Sequence, residues 1–111
     1  MNRPDKSRLR ARLTAVLLGG IGLGAALAQD APALQARSLA ATCASCHGTG
    51  GRAVDGAAVP GLAGLPAAYL ADQMKAFKTG TRAATVMHQI AKGYNDAQID
   101  QMATYFAAQK R

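Results

Sequence analysis

A chain of 111 residues accommodates one domain, and its formal charge of +7 is unevenly spread. Residues 1–28 hold five of the 13 basic side chains and one of the six acidic ones, so residues 29–111 carry only +3. Those remaining bases are scattered and aromatics make up 5% of the chain, which excludes the basic, aromatic-rich stripe of a nucleic-acid-binding domain.

The N-terminal segment begins with Arg3, Lys6, Arg8, Arg10 and Arg12, opposed only by Asp5. An uncharged apolar run follows from Leu13 to Ala28 and closes on Ala26-Leu27-Ala28. A basic start, a short apolar middle and a small-residue end describe a secretory signal peptide spanning residues 1–28. The alternative is a retained membrane anchor. The run has 16 residues, five of them Gly or Thr, against the roughly 20 mostly apolar residues of a spanning helix. No Arg-Arg pair marks the twin-arginine route. The expectation is a periplasmic domain over residues 29–111 without stable membrane insertion. A core of that size is marginal and calls for a staple, a metal or a cofactor.

Within that domain, Ala33 to about Ser45 reads as a helix, with Pro32 near its start. Gly48 to Leu65 reads as a loop, with six glycines in 18 residues and Pro60 among them. Pro66 suits the first turn of a second helix reaching about Lys78, whose Leu70, Met74 and Phe77 form one apolar stripe. Lys75 and Lys78 occupy its last turn and Gly80 follows as a stop. A short segment from Ala84 to Lys92 carries Val86, Met87 and Ile90 and ends at Gly93. Asn95 then caps a last helix from Asp96 to about Gln109, with Gln98 placed for a capping box and Ile99, Met102 and Phe106 on the apolar face. No segment alternates with period two for long enough to be a strand. The fold class is all-α, with three main helices and a long glycine-rich loop.

The chemistry lies in Cys43-Ala44-Ser45-Cys46-His47, a C-x-x-C-H motif. On a helix end, positions i and i+3 share a face, so both sulfurs reach the two vinyl groups of one porphyrin. His47 then stands next to the ring as an iron ligand. A thioredoxin-like redox site needs a βαβ context that the helical sequence before Cys43 lacks. A zinc site needs four ligands, and only His47 and His88 accompany the cysteines. A disulfide between Cys43 and Cys46 leaves His47 without a role. The expected cofactor is one covalent haem c.

A His-ligated haem iron takes a Met, a His or an open sixth position. Met74 and Met102 belong to apolar helical stripes, whose ordinary role is packing. Met87 lies 40 residues beyond His47, far enough for the chain to wrap the ring, and is a candidate ligand or a buried neighbour of Val86 and Ile90. His88 is a rival, but adjacent helical residues point about 100° apart, so both cannot face one iron. Its other reading is a surface or propionate-side histidine. Pro60 is a turn proline, or its carbonyl accepts the second ring N–H of His47. Arg82 and Lys78 are solvated surface charges or partners of haem propionates.

These residues resemble the class I cytochromes c of the c4 and c553 kind, over Leu39 to Ala108. The matching stretches are Cys43 to Gly48, Val59-Pro60-Gly61-Leu62-Ala63-Gly64, Ala84 to Tyr94 and Tyr105-Phe106-Ala107-Ala108. The resemblance implies the class I cytochrome c fold around one covalent haem, with His47 and Met87 as axial ligands and the Pro60 carbonyl supporting His47. Within that group, Tyr69 to Gly80 and Met87 to Asp96 are most similar to the cytochrome subunit of flavocytochrome c sulfide dehydrogenase. That likeness implies an electron-transfer subunit without catalytic residues of its own, reduced by a sulfide-oxidising flavoprotein, since the chain has no flavin-binding segment. The alternative functions are a free shuttle between a membrane complex and a terminal oxidase, and a five-coordinate haem that binds gas or peroxide.

Overall fold

The computed structural model describes residues 20–111, with side chains from residue 31 onward. The basic N-terminal stretch and the start of the apolar run, residues 13–19, therefore lie outside the described residues. Among the described residues five α-helices follow in order: α1 (Gly20–Ala41), α2 (Ala44–His47), α3 (Ala67–Thr79), α4 (Met87–Lys92) and α5 (Asp96–Ala107). A 3-10 turn occupies Thr49–Gly51. Among the described residues there is no strand. The three long helices are α1, α3 and α5, in agreement with the all-α class.

The first helix differs from the expectation at both ends. It begins upstream of Pro32, which it contains, and it stops at Ala41 instead of running on to Ser45. The stop is made by side-chain chemistry, since no glycine or proline stands there. The Thr42 hydroxyl donates to the Leu39 carbonyl at 2.7 Å, and the Thr42 and Cys43 amides reach back only three residues, to Leu39 and Ala40. The tightened turn re-aims the chain, and α2 starts afresh with the haem-attachment motif.

Residues 34–111 form one compact unit. Helix α3 packs against both α4 and α5. The core gathers Ala40 of α1, Leu70 and Ala71 of α3, and Ile99, Met102, Ala103 and Phe106 of α5. This core is small, and among the described residues Ile99 is its one large side chain that is fully buried. Helix α5 is well capped. Asn95 accepts from the Gln98 amide and the Gln98 side chain accepts from the Asn95 amide, both at 2.9 Å. Helix α3 ends on Gly80 in the left-handed conformation, with its N–H bonded to the Phe77 carbonyl. Two ion pairs, Lys75–Asp100 and Lys78–Asp96, each 2.8 Å, join α3 to α5. The Lys78 ammonium holds the Asp96 carboxyl below its ordinary value, so this exposed pair contributes above the usual carboxylate range and fades as pH falls through the lowered value.

The glycine-rich loop is fastened at Gly51. Its carbonyl accepts from the Leu62 amide at 2.7 Å and the Ala63 amide at 3.1 Å, which folds the Pro60 segment back toward α2. Gly51 has φ +77°, and a Cβ there would lie 2.8 Å from the Phe106 ring and 3.0 Å from the Ala63 nitrogen. Left-handed strain and overpacking then add, so Gly51→Ala is expected to destabilise the protein by about 2–4 kcal/mol, read from denaturant unfolding of the holoprotein.

Candidate haem site

The core stops short on one side. A cavity of about 480 Å³ opens between the attachment motif, the Pro60 loop and helices α3, α4 and α5. That volume lies within the range of about 300–1,000 Å³ in which proteins hold cofactors. Its wall is chiefly apolar and shared with the core, through Leu70, Ile99, Met102 and Phe106. Tyr69, Val86 and Ile90, which line it too, remain 48%, 56% and 38% exposed and mark its mouth.

Cys43, Cys46 and His47 line this cavity together. Helix α2 is only four residues long, and the His47 amide donates to the Cys43 carbonyl at 2.9 Å, which fixes the histidine relative to the first cysteine. Burial pushes the Cys43 thiol up, and the neighbouring Thr42 hydroxyl partly offsets it. The two cysteines are not joined as a disulfide.

His47 is 8% exposed, and its Nδ1 lies 2.7 Å from the Pro60 carbonyl. A carbonyl oxygen only accepts, so Nδ1 carries the proton and donates it. The tautomer is thereby set, and Nε2 keeps a free lone pair, as a metal-bound imidazole requires. The residues present therefore suit a haem: two thiols and an imidazole in register, the imidazole buried in the tautomer that leaves Nε2 free, beside a large apolar cavity. Among the described residues no group of three or more His, Cys, Asp or Glu side chains could hold a separate metal ion.

All three methionines of residues 29–111 line the cavity, and they differ in what else they do. Met102 is part of the buried core and Met74 packs against it, whereas Met87, at the first position of α4, belongs to neither group. His88 does not line the cavity. It is half-buried, and its Nδ1 is enclosed without a hydrogen-bond partner.

The two cations considered for propionates also separate. Lys78 is turned to Asp96 on α5. Arg82 lines the cavity, is hydrogen-bonded to Gln73, and stacks 4.6 Å from the centroid of Phe77. Among the described residues it is the one Lys or Arg side chain on the wall. Sequence reasoning passed over Gln73, and no periodic signal distinguishes it from other polar positions of α3. It also passed over Tyr94, whose hydroxyl meets Thr42 at 2.7 Å.

Residues 33–110 match the family model for cytochrome c. This chain belongs to the cytochrome c family. It is 46% identical over 71 residues to the "Thiosulfate dehydrogenase electron acceptor" of Thiomonas intermedia, an alignment covering 64% of this chain and 33% of the relative. It is 38% identical over 68 residues to the "Cytochrome subunit of sulfide dehydrogenase" of Chlorobaculum tepidum, covering 61% and 60%. Against "Cytochrome c4" of Pseudomonas aeruginosa it is 40% identical over 93 residues, covering 84% and 44%. The aligned segments thus span from one third to three fifths of these relatives. With a single C-x-x-C-H motif, this cytochrome is a monohaem c-type electron-transfer protein carrying one covalent haem c.

Covalent attachment has a direct consequence for stability, because the cofactor fills the gap in the core. Acid–acetone extraction is expected to leave the colour with the polypeptide. The Cys43→Ala/Cys46→Ala double variant is expected to lose the haem and its cooperative thermal unfolding, as followed by near-UV circular dichroism.

Proposed function

We propose that this cytochrome is an exported one-electron acceptor, with the haem iron held between His47 and Met87, that serves a sulfide-oxidising flavoprotein. The observation that carries the reading is the pairing of a tautomer-locked His47 with Met87 on a different element of the same cavity, Met87 being the methionine not committed to the core. When haem is bound, the site offers a one-electron iron couple. His47 presents Nε2, oriented by the Pro60 carbonyl. Met87 presents a neutral thioether, and His/Met ligation raises the potential relative to His/His. The apolar side chains of α3 and α5 on the cavity wall would keep water from a bound haem. Arg82, anchored by Gln73 and Phe77 on the cavity wall, would be the cation to meet a haem carboxylate. The exposed rim of Tyr69, Val86 and Ile90 leaves an apolar patch for the brief, small contact that redox partners make.

Sulfide gives up two electrons and a single haem accepts one, so in this reading the partner divides them. The relatives named for a sulfide dehydrogenase and a thiosulfate dehydrogenase acceptor support an assignment to sulfur-compound oxidation. The likeness to cytochrome c4, over the largest share of this chain among the relatives named above, favours as a second reading a free shuttle working without a dedicated flavoprotein.

Export to the periplasm fits the helix containing Pro32. Proline has no N–H to donate four residues back. If cleavage follows Ala28, Pro32 becomes the fourth residue of the mature chain, where an amide has no helical partner in any case. No helix among the described residues is long and apolar enough to cross a membrane.

Two measurements test the reading. Ferric protein is expected to show the weak far-red band of methionine sulfur on iron, and Met87→Ala to abolish it and open the site to cyanide. Loss of the band in Met74→Ala or Met102→Ala, with retention in Met87→Ala, contradicts the ligand assignment. The purified cytochrome is expected not to oxidise sulfide at an enzymatic rate, and to be reduced rapidly once a sulfide-oxidising flavoprotein is added. Reduction by a membrane quinol-oxidising complex, with none through the flavoprotein, decides for the free shuttle.

A further inference from the structure

We infer that Tyr94 and Thr42 form a hydroxyl latch that holds the Met87-bearing helix to the haem-attachment turn and makes Met87 harder to displace; this inference rests on Met87 being an iron ligand.

The two hydroxyls lie 52 residues apart in sequence and 2.7 Å apart in space. A hydroxyl has one proton, and the Leu39 carbonyl, 2.7 Å from Thr42 Oγ1, can only accept. Thr42 therefore donates to Leu39, and Tyr94 donates to Thr42. The result is a directed relay from Tyr94 through Thr42 to the last turn of α1, in which each bond polarises the next.

Both ends of the relay are anchored. Thr42 sits in the break between α1 and α2, directly before Cys43. The carbonyl of Cys43 accepts from the Cys46 amide at 3.3 Å and from the His47 amide at 2.9 Å. Tyr94 stands between the end of α4 and the cap of α5. Its amide donates to the Ala91 carbonyl at 3.2 Å, and its ring packs against the core.

Helix α4 needs such an anchor. It has six residues, far fewer than the 12–15 or so at which an isolated helix becomes even marginal. Val86, the residue before it, provides no side-chain cap, so the end that carries Met87 is fixed locally only by the Gln89 and Ile90 amides on the Val86 carbonyl. Contacts with α3 hold one side of the helix. The Tyr94 hydroxyl ties its C-terminal end to the turn bearing Cys43, Cys46 and His47. Opening of α4 releases Met87, and the latch opposes that opening.

The test uses the ferric holoprotein, with imidazole as the displacing ligand and the far-red band as the readout. Tyr94→Phe and Thr42→Val are each expected to tighten imidazole binding about fivefold, the net loss of the one hydrogen bond that links the two segments; the Leu39 bond that Thr42→Val also removes lies within the turn and does not reach α4. The double variant is expected to match either single variant, because both remove the same link. Thr42→Ser, which keeps the hydroxyl, is expected to bind imidazole as the parent does. If Met87→Ala removes the band while Tyr94→Phe shifts the unfolding temperature and leaves imidazole affinity unchanged, the latch is wrong and the ligand assignment stands. If the band survives Met87→Ala, the ligand assignment fails and the latch falls with it.

Discussion

The structure depends on a core that is incomplete as protein. Residues 34–111 contribute mostly alanines and a few large side chains, and only Ile99 is both large and fully enclosed. Leu70, Ile99, Met102 and Phe106 belong at once to the core and to the cavity wall, so the same atoms that hold α3 to α5 face the space a haem would fill. A domain of this size buries too little apolar surface to be secure alone. Covalent haem supplies the missing apolar area, and it cannot leave by dissociation. Fold and function therefore share one cofactor.

Around that constraint the chain spends its irregular segments on aiming single atoms. The Thr42 turn ends α1 and points α2 at the cavity. Gly51 accepts two amides from the Pro60 loop, and that loop presents its carbonyl to His47. Gly80 releases α3 so that the chain can turn toward Arg82 and then α4. Each is a short-range backbone device with a consequence at the cavity wall, which is why loops and turns dominate the site while helices dominate the core.

Much of this was legible in the sequence. The stripes Leu70–Met74–Phe77 and Ile99–Met102–Phe106 have helical spacing, and Asn95 with Gln98 forms the capping box that their spacing permits. The C-x-x-C-H motif specified its own chemistry. The break at Thr42 was not legible, because Thr42 and Cys43 are ordinary helix residues and the stop comes from a side-chain hydroxyl bonded three residues back. Arg82 could not be separated from Lys78 by sequence, since the difference is which neighbour each meets: Gln73 and Phe77 for one, Asp96 for the other. Tyr94 and Thr42 lie too far apart in sequence for any local pattern to pair them.

The central claim is that haem completes the core with Met87, and not Met74 or Met102, at the iron. Methyl-labelled methionine in the reduced, diamagnetic holoprotein tests it most directly by NMR. A methyl seated over the ring centre moves strongly upfield, while one packed at the ring edge moves little. The account predicts that the single strongly upfield methyl disappears in the Met87→Leu spectrum, with the Met74 and Met102 signals remaining near ordinary positions. An upfield methyl that persists without Met87, or its absence from the parent spectrum, would contradict the account.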